Sequence, residues 1–163
     1  MESSDYLINI CEFKHIPQLV ELWIEYLVDQ GEDPINDYID FSASKEGFYS
    51  ILEGYLRKEP EGFMVATVSD EVVGFLIAYR SALSDNYKMK RKVGNVQVVH
   101  VKRGFRGRGI ASSLLRKAMR YLESGGCSAV LAETGEDNEE SLNMLTKLGF
   151  KQRGKLVTFI KEL

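Results

Sequence analysis

Apolar positions change their spacing several times along this chain, and each change predicts an element. Val96, Val98, Val99 and Val101 are β-branched and nearly continuous, which predicts a strand covered on both faces, running from Val96 towards Phe105. Ile110, Leu114, Leu115, Ala118, Met119 and Leu122 then recur at three- and four-residue spacing and predict a helix with one apolar stripe. Arg116, Lys117, Arg120 and Glu123 fall on its watery side, and Gly125-Gly126 predicts its C-cap. Upstream, Tyr6 to Phe13 reads as a short strand. Ile16, Leu19, Val20, Trp23, Leu27 and Val28 stripe a helix that opens at His15-Ile16-Pro17 and ends at Gly31. Glu32 to Ser42 reads as a loop. Ser44 can cap a second helix bearing Phe48, Ile51, Leu52, Tyr55 and Leu56, which Lys58-Glu59-Pro60 stops.

Gly62 to Val68 and Val72 to Arg80 predict a hairpin turning at Ser69-Asp70-Glu71. Ser81 to Lys92 is a basic connection that contains Tyr87. Beyond the long helix, Cys127 to Thr134 predicts a strand parallel to the valine strand, joined by a right-handed crossover. Asp137 or Asn138 caps a last helix to Leu148, Gly149 leaves it, and Phe150 to Leu163 returns as one or two strands. No repeat, low-complexity tract or linker divides residues 1–163, whose length suits one domain.

Composition narrows the classes. Apolar content of 44% with 28% charge is that of an ordinary globule, and a net charge of −3 gives no general attraction for nucleic acid or anionic membrane. No apolar run approaches the ~20 residues of a membrane span, and the N-terminus lacks a signal-peptide pattern, so a cytoplasmic location is expected. Cys11 and Cys127 form no C-x-x-C pair, and with His15 and His100 they give no zinc-like spacing, so no metal is expected. Charge is uneven locally. Lys88, Lys90, Arg91, Lys92, Lys102, Arg103, Arg106 and Arg108 gather before the long helix, and Glu133, Glu136, Asp137, Glu139 and Glu140 gather after it. Each is an ordinary solvated residue or, taken together, a basic rim for phosphates beside an acidic mouth for a cationic amine.

Between the valine strand and the long helix stand two glycines and two arginines. Unpaired first-turn amides, a positive helix end and guanidiniums make an anion site there. Gly107-Arg108-Gly109-Ile110-Ala111-Ser112 approaches the dinucleotide fingerprint G-x-G-x-x-G but fails at the last position, although a strand at Ala129 to Glu133 brings an acid near the required spacing. Arg106-Gly107-Arg108-Gly109-Ile110-Ala111 satisfies R/Q-x-x-G-x-G/A instead. That loop resembles the acetyl-CoA pyrophosphate loop of the GNAT superfamily of N-acetyltransferases. Val99-His100-Val101 before it, and Asn138-Glu139-Glu140-Ser141 and Lys147-Leu148-Gly149-Phe150 after it, extend the resemblance from about Val96 to Phe150.

The resemblance implies an α/β (α+β) fold: a mixed, mostly antiparallel twisted sheet of six to seven strands with about four helices, in the order β-α-α-β-β-β-α-β-α-β(-β). It implies an acetyl-CoA-dependent N-acetyltransferase acting on a primary amine of a small molecule or peptide in a ternary complex. The backbone of Val99, His100 and Val101 would pair with the pantetheine arm and hold the oxyanion. Arg106, Gly107, Arg108, Gly109, Ile110, Ala111 and Ser112 would wrap the diphosphate, and Asn138 would bond the arm or serve as a helix N-cap. Two positions depart from the family pattern. Leu145 stands where many members carry a tyrosine that protonates the thiolate, leaving Tyr79, Tyr87, another hydroxyl or water, or a thiolate that departs unassisted. Asn95 and Gln97 stand where members often carry a base, leaving Glu133, otherwise an ordinary exposed carboxylate at a strand end, as the base candidate, or a water-relayed base; His100 falls on the opposite face by strand alternation. A non-catalytic acyl-CoA-binding module is the alternative. Edge strands could support a homodimer.

Overall fold

Near-continuous burial along the central strands reflects one sheet covered on both faces by two cores. The computed structural model describes residues 5–29, 39–80, 91–155, 157 and 159–161. Among them β1 (Leu7–Ile10), β2 (Phe63–Val68), β3 (Glu71–Arg80), β4 (Lys92–Val101) and β5 (Cys127–Ala132) line up in chain order. The first three pairings are antiparallel and β4–β5 is parallel. The helices are α1 (Ile16–Asp29), α2 (Lys45–Lys58), α3 (Ile110–Ser124) and α4 (Glu139–Lys147). No helix among the described residues is long and apolar enough to cross a membrane.

On one face α1 and α2 pack Ile16, Leu19, Trp23, Phe48 and Leu52 against Phe63, Phe75 and Val98. On the other, α3 buries Ile110, Leu114, Leu115, Ala118 and Leu122 against Met64, Leu76, Val96 and Val101. Fully burying each Leu or Ile is worth roughly 2 kcal/mol. The stripe therefore fixes α3 against the sheet and aims its N-terminus at the end of β4. Val28 and Ile51, expected in apolar stripes, are 48% and 45% exposed. Lys117 is not free in water either: its Nζ donates to the carbonyl of Ile8 at 2.8 Å, tying α3 to β1.

The β2–β3 turn is tighter than expected, because Glu71 already belongs to β3. Ser69 (φ 46°) and Asp70 (φ 67°) make a two-residue turn with both residues left-handed, whose twist matches that of the strands. β4 begins earlier than the valines suggest and stops at Val101, where Arg103–Phe105 coils into a 3-10 turn. Among the described residues the sheet has five strands, where six to seven were expected. The described residues after Phe150 form no strand, and Val157, Phe159 and Ile160 remain exposed rather than packing on the sheet. Gly31, most of the loop expected at Glu32 to Ser42, and Tyr87 lie outside the described residues.

Candidate active site

The site begins with an opening in the sheet. β4 and β5 pair from Lys92↔Cys127 to Val96↔Ala132 and then separate, so Gln97 to Val101 have no strand partner on that side among the described residues. At about 3.3 Å per residue this leaves roughly 15 Å of open edge. Its polarity follows from the other side of the strand. The Lys102 amide donates to the Val73 carbonyl at 2.8 Å. Bonding alternates along an antiparallel ladder, so Val99 and Val101 turn their amides and carbonyls away from β3 and into the opening. A bulge interrupts the β3–β4 register at Gln97, next to the point where β5 closes the edge. There the Tyr79 hydroxyl donates to Gln97 Oε1 at 3.2 Å.

At the other end of the opening lies the glycine loop. Gly107 (φ 75°) and Gly109 (φ 76°) are both left-handed, a conformation that costs an L-residue roughly 1–2 kcal/mol. Gly109 is the N-cap of α3 and supplies no side-chain cap. The first amide of the helix to find a carbonyl is that of Ser113, bonded to Gly109 at 3.0 Å. The amides of Gly107 through Ser112 have no acceptor among the described residues. They stand at the positive end of a helix and can collect an anion. Sequence reasoning brought these residues together, and the fold keeps them together.

The arginines are another matter. Arg106 Nε donates to the Val101 carbonyl at 2.9 Å, and its terminal nitrogen pairs with Asp29 Oδ2 on α1. Arg103 binds the other Asp29 oxygen, with Nε at 3.1 Å. Glu25, one turn earlier on α1, accepts the Arg103 amide at 3.0 Å and the Nε2–H of His100 at 3.1 Å. Arg108 lies over the Phe105 ring at 5.0 Å, and Lys102 pairs with Glu71. Lys102, Arg103, Arg106 and Arg108 of the expected basic rim are therefore already matched by protein groups, while Lys88 and Lys90 lie outside the described residues.

His100 is buried between Phe75 and Tyr26 on the α1 face. Burial holds its imidazole below the ordinary value, against the pull of Glu25. Burial pushes the Asp29 carboxyl up, but the hydrogen bonds and charges of Arg103 and Arg106 outweigh it and hold it below the usual range. The ligand atoms of Glu25, Asp29 and His100 lie within 4.8 Å of one another. Both Asp29 oxygens are engaged by guanidiniums, which a cation would have to displace. Neither Glu25 nor Asp29 was found from the sequence. Their signal was a like-charged pair four residues apart on one helix, unfavourable unless a basic group lies opposite.

Asn138 is the N-cap of α4, its Oδ1 accepting the Ser141 amide at 3.1 Å. Its amide nitrogen stays available for a second bond. Ser44 holds the N-cap position of α2 without capping it, since its hydroxyl donates back to the Asp40 carbonyl at 2.6 Å. Glu133 follows the last residue of β5, exposed and without a hydrogen bond or ion pair among the described residues. Leu145 packs half-buried against the α3 core. Glu136 of the expected acidic mouth pairs with Lys155 at 2.7 Å.

The chain is similar to known proteins in sequence and in fold. The family model described as Acetyltransferase (GNAT) family matches residues 17–150. An acetyltransferase of Photorhabdus laumondii is 33% identical over 90% of this chain and 87% of its own length. An N-acetyltransferase of Methanocaldococcus jannaschii, described as uncharacterized, is 30% identical over 60% of this chain, and the match spans 42% of that protein. Among solved structures, an aminoglycoside N-acetyltransferase of Acinetobacter haemolyticus has a TM-score of 0.72 at 20% identity, over 96% of this chain and 99% of its own. Another, in complex with a bisubstrate analogue of coenzyme A, has a TM-score of 0.72 at 18% identity, over 97% and 99%. These two share the fold. The family match covers most of the chain, and the chain belongs to the acetyltransferase (GNAT) family of acyltransferase enzymes.

Proposed function

We propose that the chain is an N-acetyltransferase that moves an acetyl group from acetyl-CoA to a primary amine of a small molecule or peptide, directly within a ternary complex, with residues 1–163 as one catalytic domain. The observation that carries this reading is the meeting of two unsatisfied hydrogen-bonding surfaces, the edge of β4 at Val99 and the amides of Gly107 to Ser112. The first suits an amide-bearing arm and the second a diphosphate. Because Arg106 occupies the Val101 carbonyl, Val99 offers both donor and acceptor while Val101 offers its amide. Asn138 can donate to the same arm while it caps α4.

Bound acetyl-CoA supplies an acyl group activated as a thioester. A strand amide turned into the opening can steady negative charge on the acyl oxygen. Glu133, one residue past the last pair of β5, accepts the proton that turns an ammonium into a nucleophilic amine. Leu145 has no proton to give, so the departing thiolate takes one from water or from the Tyr79 hydroxyl beside Gln97. The two buried free thiols, Cys11 and Cys127, suit a reducing cytoplasm.

The test is a calorimetric titration with acetyl-CoA and with NAD, followed by incubation of acetyl-CoA with a polyamine, an amino sugar, free lysine and a peptide, reading released thiol. Binding of acetyl-CoA alone, with thiol release that needs one of these amines, is expected. No affinity for acetyl-CoA, or binding without amine-dependent release on any of them, overturns the reading.

A further inference from the structure

The glycine loop has little of its own to hold it. Arg103, Gly104 and Arg106 through Gly109 are exposed, and both glycines are free of Cβ restraint. What fixes the segment is a brace from α1, remote in sequence. Asp29 takes Arg103 on one oxygen and Arg106 on the other. Glu25 takes the Arg103 amide and, through His100, is fastened to β4 itself. Arg106 closes the circuit by binding the Val101 carbonyl, the last residue of β4. Asp29 is 18% and His100 6% exposed, so water screens the inner part of this network weakly.

We propose that Asp29, with Glu25 behind it, is a positioning residue for coenzyme binding: it sets the turn at Arg103–Phe105 so that the amides of Gly107 to Ser112 face one point. This rests on the acetyl-CoA reading above. Asp29 itself never meets the ligand; it acts through two guanidiniums. A loop whose amides diverge by an ångström loses much of its grip on a diphosphate, because preorganised donors act only where they converge. The opposite role would be competition, with Asp29 withholding Arg103 and Arg106 from the phosphates. The two roles predict opposite signs.

The experiment measures coenzyme A affinity by calorimetry on the full chain, with melting followed in parallel. Asp29→Asn, which keeps shape and removes charge, is expected to weaken binding by about ten-fold, or about 1.4 kcal/mol. Asp29→Glu, which restores the carboxylate, is expected to recover it to within about three-fold. Unchanged affinity in a folded Asp29→Asn protein overturns the proposal, and tighter binding overturns it in favour of competition. A loss that Asp29→Glu does not recover also overturns it, since that is the mark of general packing damage. If Asp29→Asn does not fold, Arg106→Lys is read the same way, because it keeps the charge and loses the two-pronged geometry. Absence of any coenzyme A binding by the unaltered chain would instead remove the acetyl-CoA reading and this inference together.

Discussion

Two helices in this molecule begin in opposite ways. α4 looks after its own start: Asn138 caps the Ser141 amide, and Glu139 and Glu140 in its first turn answer the positive end of the dipole. α3 does neither. It opens from a left-handed glycine with no side-chain cap, no acid in its first turn, and arginines ahead of it. α3 is nevertheless the better buried, with Ile110, Leu114, Leu115, Ala118 and Leu122 in the core, whereas α4 buries no residue fully. The helix with packing to spare leaves its amides open, and the helix with little packing spends a side chain on closing them. Local stability and ligand capacity are thus divided between the two starts.

The sharpest way to break the contrast is at Gly109. Gly109→Val puts a β-branched residue at φ 76° and is expected to lower acetyl-CoA affinity by about a hundred-fold, by turning the loop amides away, while costing only about 1–2 kcal/mol of stability. Calorimetry beside denaturant unfolding reads both. Asn138→Ala should give the reverse balance. The lost cap costs about 1 kcal/mol of stability, and coenzyme affinity drops a few-fold at most; a larger loss of affinity than of stability would make α4 a binding helix as well.

The smallest effect expected is in pH. His100, facing Glu25 and Asp29 from α1, Arg106 from the loop, and the Tyr26 and Phe75 rings, has a pKa held down by burial. The unfolded chain therefore takes up its proton first. Stability is full above about pH 6.5 and is lost as pH falls towards the lower folded value. Replacing His100 by Gln should flatten unfolding free energy measured between about pH 6.5 and 5, with some slope left because His15 is also held down by burial. Full slope in that variant would show that His100 carries none of the dependence.

What could be read from the chain was whatever one element decides for itself. The stripe of α3 is buried nearly residue for residue, Met119 being only half-buried, and the two loop glycines both require the left-handed backbone that makes them glycines. Asn138, one of the two residues expected to cap the last helix, does so. What escaped was whatever needs two distant elements. The pairing of Arg106 with Asp29 could not be foreseen, because the two lie 77 positions apart. Lys117 looked solvent-facing because nothing near it in the chain is Ile8. The end of β4 was misjudged because Phe105 continues an apolar rhythm, while the chain has already coiled after Val101. The same limit applies at Phe150 to Leu163, where strand-like residues were expected to add to the sheet and the described ones do not.

The gap between β4 and β5 has a consequence for solubility. An unpaired strand edge invites pairing with a neighbouring chain, and proteins normally blunt such edges. Here β5 shuts one end at Val96, the Arg106 side chain plugs the other at Val101, and a bulge at Gln97 spoils the register between them. A stray strand would find too short a run to zip along, so the molecule can keep part of its ladder bare without becoming a seed for aggregation.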